Sequence, residues 1–255
     1  MDNQKEEILQ KIEEAEYVLV GLGQEFDMEF FLQSREDYRR IREQLQQQNV
    51  LWLLPYVEAQ FRKQYMPEME AEIEKGLQKL AKVLEKKSYF VVSSSMNHKL
   101  AEVPWKKMLL KKERFVAPCG DWTKKQCPDG CEEGIQTVTE ADEEQLQESF
   151  KKLQTNGFSV PDLGKCPKCG KKLVLNNVYA GRYDEKGYLK TWTEYQNWLK
   201  NTLNHKMVLL EIGEGNRFPT IIRSPFERIA LFQQKADLYC IDGEQNPIAW
   251  LLSLC

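Results

Sequence analysis

Two pairs of cysteines, Cys127/Cys131 and Cys166/Cys169, constrain this chain more than any other feature. Thiolates in close pairs, separated by a longer span, suit a tetrahedral zinc site. The second pair lies in Cys166-Pro167-Lys168-Cys169-Gly170, a knuckle tight enough to bring two sulfurs to one ion. The first pair encloses three residues, of which Pro128 and Gly130 shape the turn. Two unrelated disulfides or four buried thiols are the other reading, and the spacing favours the metal. The expected ligand set is therefore Cys127, Cys131, Cys166 and Cys169. Of the seven cysteines, Cys119, Cys240 and Cys255 are left over. That usage fits a reducing, cytoplasmic setting better than a secreted disulfide scaffold. A structural zinc says little about activity, but it is a landmark for reading the rest of the chain.

Around that landmark, apolar strands alternate with amphipathic helices. Ile8, Ile12 and Ala15 share one face of a first helix, and Tyr17-Val18-Leu19-Val20 then runs into Gly21-Leu22-Gly23. Such a run, apolar throughout, predicts a parallel strand covered on both faces. Residues 34 to 87 read as mostly helical, with Met69, Ile73, Leu77, Leu80 and Leu84 in one stripe and Pro55 and Pro67 at kinks or helix starts. A second strand, Tyr89 to Val92, ends in Ser93-Ser94-Ser95-Met96-Asn97-His98. Thr139 to Asp142 reads as a capping box that opens a helix with Leu146, Phe150 and Leu153 on its apolar face, and Gly157 can end it. Two further strands, Met207 to Ile212 and Ala236 to Ile241, lead into Gly213-Glu214-Gly215 and Asp242-Gly243. Between them Ser224-Pro225-Phe226-Glu227 predicts a helix start with serine as the cap.

This alternation predicts an α/β fold: a doubly wound, mostly parallel, Rossmann-like sheet with an inserted small zinc-binding module. The expected division is 1–114 with 179–255 for the sheet domain and 115–178 for the module. Ligands of such sheets bind beyond the carboxyl ends of the strands. Four loops leave those ends: Gly21 to Phe26, Ser93 to His98, Gly213 to Phe218 and Asp242 to Asn246. The net charge of −3 over 255 residues gives no reason to expect nucleic acid or a membrane surface as partner. The acidic, polar N-terminus does not read as a signal peptide, and no apolar run is long enough to span a bilayer.

A Rossmann-like sheet with an inserted two-pair cysteine module resembles the sirtuin family, the NAD-dependent deacylases and ADP-ribosyltransferases. The resemblance runs from about residue 7 to residue 247 and is nearest to the macrodomain-linked sirtuins of microbes. Phe90 to His98 looks like their strand followed by Thr-Thr-Asn-Val-Asp-His. Cys119-Gly120-Asp121-Trp122 looks like their Gln-Gly-Asp-Tyr, and Leu210 to Gly215 like their Leu-Glu-Leu-Gly-Val-Gly. Pro219 to Phe226 continues the match. The resemblance implies cleavage of NAD at the nicotinamide bond and passage of ADP-ribose to an acceptor. In the linked subgroup that acceptor is a protein, in some systems a lipoylated carrier.

The positions that the resemblance assigns to the cofactor are Gly21, Gly23, Ser93, Ser95, Asn97, Gly213, Gly215 and Asp242. Gly21 and Gly23 would let backbone approach a diphosphate. Leu22 and Glu25, however, stand where the family has alanine and serine, adding bulk and a carboxylate near the phosphates. Two unit charges 4 Å apart repel by about 1–4 kcal/mol, unless Glu25 turns to solvent or pairs with Arg217. Ser95 replaces the asparagine that orients the ribose, and Asn97 replaces the aspartate that accepts from the nicotinamide amide. Cys119 replaces the general base, a histidine or, in the linked subgroup, glutamine. An unperturbed thiol is mostly protonated at neutral pH. Glu214 adds another carboxylate, whereas Asp242 is suited to ribose hydroxyls.

None of the altered positions Ser95, Asn97 and Cys119 is therefore assigned a catalytic role. Cys119 can be read as nucleophile, redox sensor or base, or simply as a small buried residue. His98 either lines the site or serves structure, and His205 reads as surface. The serines Ser93 to Ser95 offer a hydrogen-bonding wall for a ligand, or merely satisfy a strand end. The aromatics from Tyr179 to Trp198 line an acceptor groove or pack the core. The leading expectation is a sirtuin-like zinc protein with a degraded catalytic site, weak or no binding of NAD or ADP-ribose, and a protein-partner role. The alternatives are an active NAD-dependent protein ADP-ribosyltransferase using Ser95, Asn97 and Cys119, with a lipoylated carrier protein as acceptor, or a residual deacylase.

Overall fold

The structure is a computed structural model that describes residues 2–103, 105, 114–131, 134–155 and 157–254. Cys255, one of the left-over cysteines, lies outside the described residues. In chain order come helix α1 (Asp2–Glu14), strand β1 (Tyr17–Leu22), a 3-10 turn (Gln24–Asp27), and helices α2 (Glu29–Gln33), α3 (Glu36–Gln47), α4 (Leu54–Tyr65) and α5 (Pro67–Leu84). Strand β2 (Ser88–Ser93), helix α6 (Lys99–Glu102), and strands β3 (Phe115–Val116), β4 (Gly120–Gln126) and β5 (Gln136–Thr137) follow. The chain continues through helix α7 (Glu140–Gln154), strand β6 (Val174–Asn177), helix α8 (Lys186–Lys200), strand β7 (Met207–Ile212), helix α9 (Arg223–Phe232), strand β8 (Ala236–Ile241) and helix α10 (Pro247–Ser253).

The contacts divide the chain into two units: residues 1–27, 67–118 and 188–255, and residues 28–66 and 119–187. These boundaries differ from the expected ones. Residues 28–66, expected with the sheet, pack with the cysteine region instead. The reason is a shared core: Tyr38, Ile41 and Leu45 of α3 and Val57 and Phe61 of α4 bury with Leu146, Phe150 and Leu153 of α7 and with Cys127 and Cys166.

The first unit holds a parallel sheet of order β3-β2-β1-β7-β8. Every strand-to-strand link is therefore a crossover, and the order reverses on the two sides of β1. The β1/β7 junction is the topological switch point, where such sheets leave a crevice at the carboxyl ends. The inner strands bury nearly every side chain, as their unbroken apolar runs require. On one face Leu19, Phe90, Val92 and Leu209 pack against Tyr195 and Trp198 of α8 and Ile222 and Phe226 of the α9 region. Elsewhere in the unit, Ile73, Leu77, Leu80 and Leu84 of α5 are buried as their spacing predicts, with Met69 half-buried. Gly76 gives α10 its seat on α5, because a Cβ there would stand 2.7 Å from Leu251 Cβ.

Pro55 and Pro67 both sit in first helical turns, where a missing N–H costs nothing. One local expectation fails. Ser224 is not the cap of α9: Ile222 holds that position without a side-chain bond, and Ser224 lies inside the first turn with its N–H on Pro219 O. The helix starts early enough to put the Arg223 guanidinium on the sheet.

The second unit holds an antiparallel sheet of order β5-β4-β6 with α2, α3, α4 and α7. Thr139 caps α7 in the expected box: its hydroxyl accepts from Asp142 N, and Asp142 accepts from Thr139 N. The same Asp142 receives Lys125 Nζ at 2.7 Å, with both side chains buried. Lys125 also donates to Leu163 O, so the buried ammonium keeps several partners.

Candidate functional site

The cysteine cluster lies wholly in the second unit. The sulfurs of Cys127, Cys131, Cys166 and Cys169 all lie within 4.8 Å of one another. A tetrahedral zinc with Zn–S bonds of about 2.3 Å needs sulfurs about 3.8 Å apart. The four thiols therefore fit that metal, with Cys127 and Cys166 buried and Cys169 exposed. Each knuckle closes on backbone bonds: Gly130 N to Cys127 O at 3.1 Å, and Gly170 N to Cys166 O at 2.9 Å. Gly130 and Gly170 have φ of 69° and 72°, the left-handed region in which glycine is unstrained. Asp129 N also donates to Cys127 Sγ at 3.4 Å, and Lys171 ties to Asp129 at 2.7 Å across the two knuckles. With zinc bound, the site would cross-link the strand region before α7 to the loop after it.

The second candidate region is the carboxyl end of the parallel sheet in the first unit. Gly23 N donates to Ile212 O at 2.8 Å and Glu25 N to Gly213 O at 3.0 Å, so the loops after β1 and β7 are stitched together. A Cβ on Gly23 would lie 2.2 Å from both Glu214 Cα and Gly213 O. One on Gly21 would lie 2.4 Å from Ile222 Cγ2. Both glycines thus make room for the protein's own packing. Leu22 is fully buried within β1, so its bulk is part of the core. Gly213 takes φ of 62°, and Gly215 lies against the Gln24 side chain, whose Oε1 accepts Arg217 N at 3.1 Å.

The loop after β2 is bonded inward along its length. Ser93 Oγ donates to Leu22 O at 3.0 Å, Ser94 Oγ to Glu214 Oε2 at 2.7 Å, and Ser95 Oγ to Asp27 Oδ1 at 2.6 Å. Asn97 Nδ2 donates to Phe26 O at 3.2 Å, while its Oδ1 accepts Lys99 N at the same distance. Ser93, Ser94, Ser95 and Asn97 are all buried.

Behind these loops lies a set of charges the sequence reading did not pick out. Asp27 is fully buried and also accepts Met96 N at 2.8 Å. Glu211 is buried in β7 and receives Arg223 Nε at 3.1 Å and Nη2 at 2.9 Å, both on Oε1. Arg223 also reaches Asn216 Oδ1 and Glu214 O. Glu211 did carry a signal: an acid inside the apolar run Met207 to Ile212 demands a partner. Asp27 carried none, because its partners come from the distant loop after β2. Glu214 points into this set and away from the ligand path expected for it. Burial, with Glu211 and Asp27 nearby, pushes its carboxyl up to about 7.

At the outer rim, Glu25 is exposed, with its carboxyl beside Gly243. Burial and the neighbouring Asp242 raise its affinity for a proton. Asp242 itself is exposed at the end of β8. Cys119 belongs to the second unit, where it is wholly buried and its carbonyl accepts Val178 N at 3.0 Å. His98 stands before α6 with Nε2 3.7 Å from Glu102, and His205 is a surface residue bonded to Glu16 at 2.9 Å. Tyr188, Trp192, Tyr195 and Trp198 pack on the sheet core, and Tyr179 packs in the core of the second unit.

The fold agrees with that of solved sirtuin structures. One, a study of the structural basis of sirtuin substrate affinity, aligns over 92% of this chain and 86% of its own, with 15% identity and a TM-score of 0.50. The chain has the sirtuin fold. A second neighbour is a histidine-to-asparagine mutant of a Sir2 homologue in complex with ADP-ribose. It covers 97% of this chain and 94% of its own, with 12% identity and a TM-score of 0.50. No protein-family model and no curated protein sequence matches the chain. Among the described residues no helix is long and apolar enough to cross a membrane.

Proposed function

We propose that this sirtuin-fold zinc protein has a degraded catalytic site, binds NAD or ADP-ribose weakly or not at all, and works through contacts with protein partners. One observation carries the reading: the hydroxyls of Ser93, Ser94 and Ser95 and the amide of Asn97 are spent on the chain's own groups. A nicotinamide riboside at that loop would have to break those bonds. A buried acceptor left without its donor costs about 1–3 kcal/mol. At the rim, the exposed Glu25 and Asp242 are both carboxylates, which oppose a diphosphate. The residues present therefore fit NAD poorly.

Titration calorimetry with NAD and with ADP-ribose tests this. Heats too small to fit are expected, and micromolar binding of NAD would overturn the reading. Asp242 favours a second reading, since an exposed acid at that strand end suits ribose hydroxyls. On that reading the chain resembles the macrodomain-linked subgroup in activity, transferring ADP-ribose to a protein such as a lipoylated carrier. Release of nicotinamide in the presence of such a carrier would support it. A residual deacylase is the weakest alternative, because Cys119 is an enclosed thiol. A four-thiolate zinc site needs reduced cysteines, which supports a cytoplasmic setting.

A further inference from the structure

Glu214 is the third residue of a segment, Ile212-Gly213-Glu214-Gly215, that leaves the sheet at its switch point. Its side chain folds back under the loop and is buried. Oε2 accepts the Ser94 hydroxyl at 2.7 Å, while Oε1, equally enclosed, has no hydrogen-bond partner. The groups facing it come from each neighbouring element: Ser94 after β2, Asp27 in the turn after β1, Glu211 on β7 and Arg223 on α9. That is three carboxyl groups, of which Glu211 and Glu214 lie beside the one guanidinium, and the guanidinium gives two hydrogen bonds to Glu211 Oε1. Cys240, opposite Glu211 on β8, adds no positive charge.

Such a cluster tolerates Glu214 as a neutral acid far better than as an anion. A second or third buried negative charge with one shared cation carries both a desolvation penalty and like-charge repulsion. The loop that carries Glu214 has the means to let it leave. Gly213 and Gly215 flank it, Asn216 is exposed, and the side-chain anchors include the Ser94 bond and those from Gln24 and Arg223.

We infer that Glu214 is a proton-operated latch on the Gly213–Phe218 loop. Protonated, it stays on Ser94 and holds the loop down over the ends of β1 and β2. Ionised, it moves to solvent and frees both the loop and the Ser94 hydroxyl. The device works in the first unit alone and does not depend on whether a nucleotide binds. Its consequence is that the carboxyl end of the sheet opens as pH rises through neutrality.

Hydrogen exchange tests the latch in the full chain. Amide protection of Gly215, Asn216, Arg217 and Phe218, corrected for intrinsic exchange chemistry, is followed from acid to mildly alkaline pH. Coupling to one proton predicts that the opened population rises by up to about tenfold per pH unit between the ordinary glutamate range and the midpoint, and levels off above it. In Glu214→Gln, which keeps the shape and cannot ionise, protection is expected to stay flat. A flat wild-type profile, or the same slope in the variant, overturns the proposal. The carboxyl carbon resonance of Glu214 gives a readout on the wild-type chain that needs no variant. A midpoint in the ordinary glutamate range overturns the latch, and one near neutrality supports it.

Discussion

Removing the Arg223 guanidinium tests how the sheet tolerates an acid in an inner strand. Glu211 is 3% exposed in its side chain, and Arg223 is 32% exposed and bonded to it at 2.9 Å. In Arg223→Met the stem and its packing are kept while the charge and its hydrogen bonds go. Breaking a fully buried pair by removing one partner costs about 3–5 kcal/mol, since the other charge is left uncompensated. The partial exposure of Arg223 lets water reach the pair, so about 2–4 kcal/mol is expected here. At roughly 2–4 °C per kcal/mol for a chain of this size, the melting temperature should fall by about 4–16 °C. Urea unfolding of the variant gives the free energy, and the double variant Glu211→Gln/Arg223→Met isolates its source. If the cost is an orphaned charge, the double variant recovers most of the loss. A single variant within 1 kcal/mol of the parent (roughly the worth of a surface pair) would refute the reasoning. So would a double variant no more stable than the single one.

Three other outcomes follow from the same structure. The carboxyl of Glu214 is raised from 4.5 to about 7, so its unfolded form loses the proton first. Its contribution is fully present below about 4.5 and is lost as pH rises through about 7, an upper bound of about 3 kcal/mol. Glu214→Gln should remove that slope from the urea stability profile, and an unchanged slope would count against the assignment. Metal analysis of unstripped protein should find one zinc per chain, and Cys166→Ser or a strong chelator should release it and lower the melting temperature. Purified chain without zinc would sink the four-thiol site. Gly23→Ala places a methyl 2.2 Å from the backbone of the neighbouring loop, which cannot yield as a flexible side chain could. A loss of several kcal/mol or failure to fold is expected, of the order seen for severe overpacking, and wild-type stability would show that the loops are not locked together.

Much of the framework was legible because it rests on local rules. The runs Tyr17 to Leu22 and Met207 to Ile212 read as buried parallel strands, and both lie inside the five-stranded sheet. The Thr139–Asp142 box and the two knuckles depend on residues a few positions apart, so spacing alone predicts them. The site was less legible. Ser94 and Glu214 are 120 residues apart, and Ser95 and Asp27 are 68 apart. No periodicity reports such a pair, so Glu214 was expected on the ligand path and turned inward instead. Ser224 satisfied every local criterion for a cap, yet packing of Ile222 and Phe226 on the sheet started the helix earlier.

By itself, then, the sequence determined the strands, the knuckles that suit zinc and the order of elements that goes with the sirtuin fold. Tertiary structure alone decided the rest. It sent residues 28–66 to the cysteine unit, filled the space beside Gly21 and Gly23 with the chain's own atoms, and bonded the serine loop to buried acids. The physical reason is that backbone conformation follows from neighbours in the chain. The direction a polar side chain takes follows from which distant partner can pay for its desolvation.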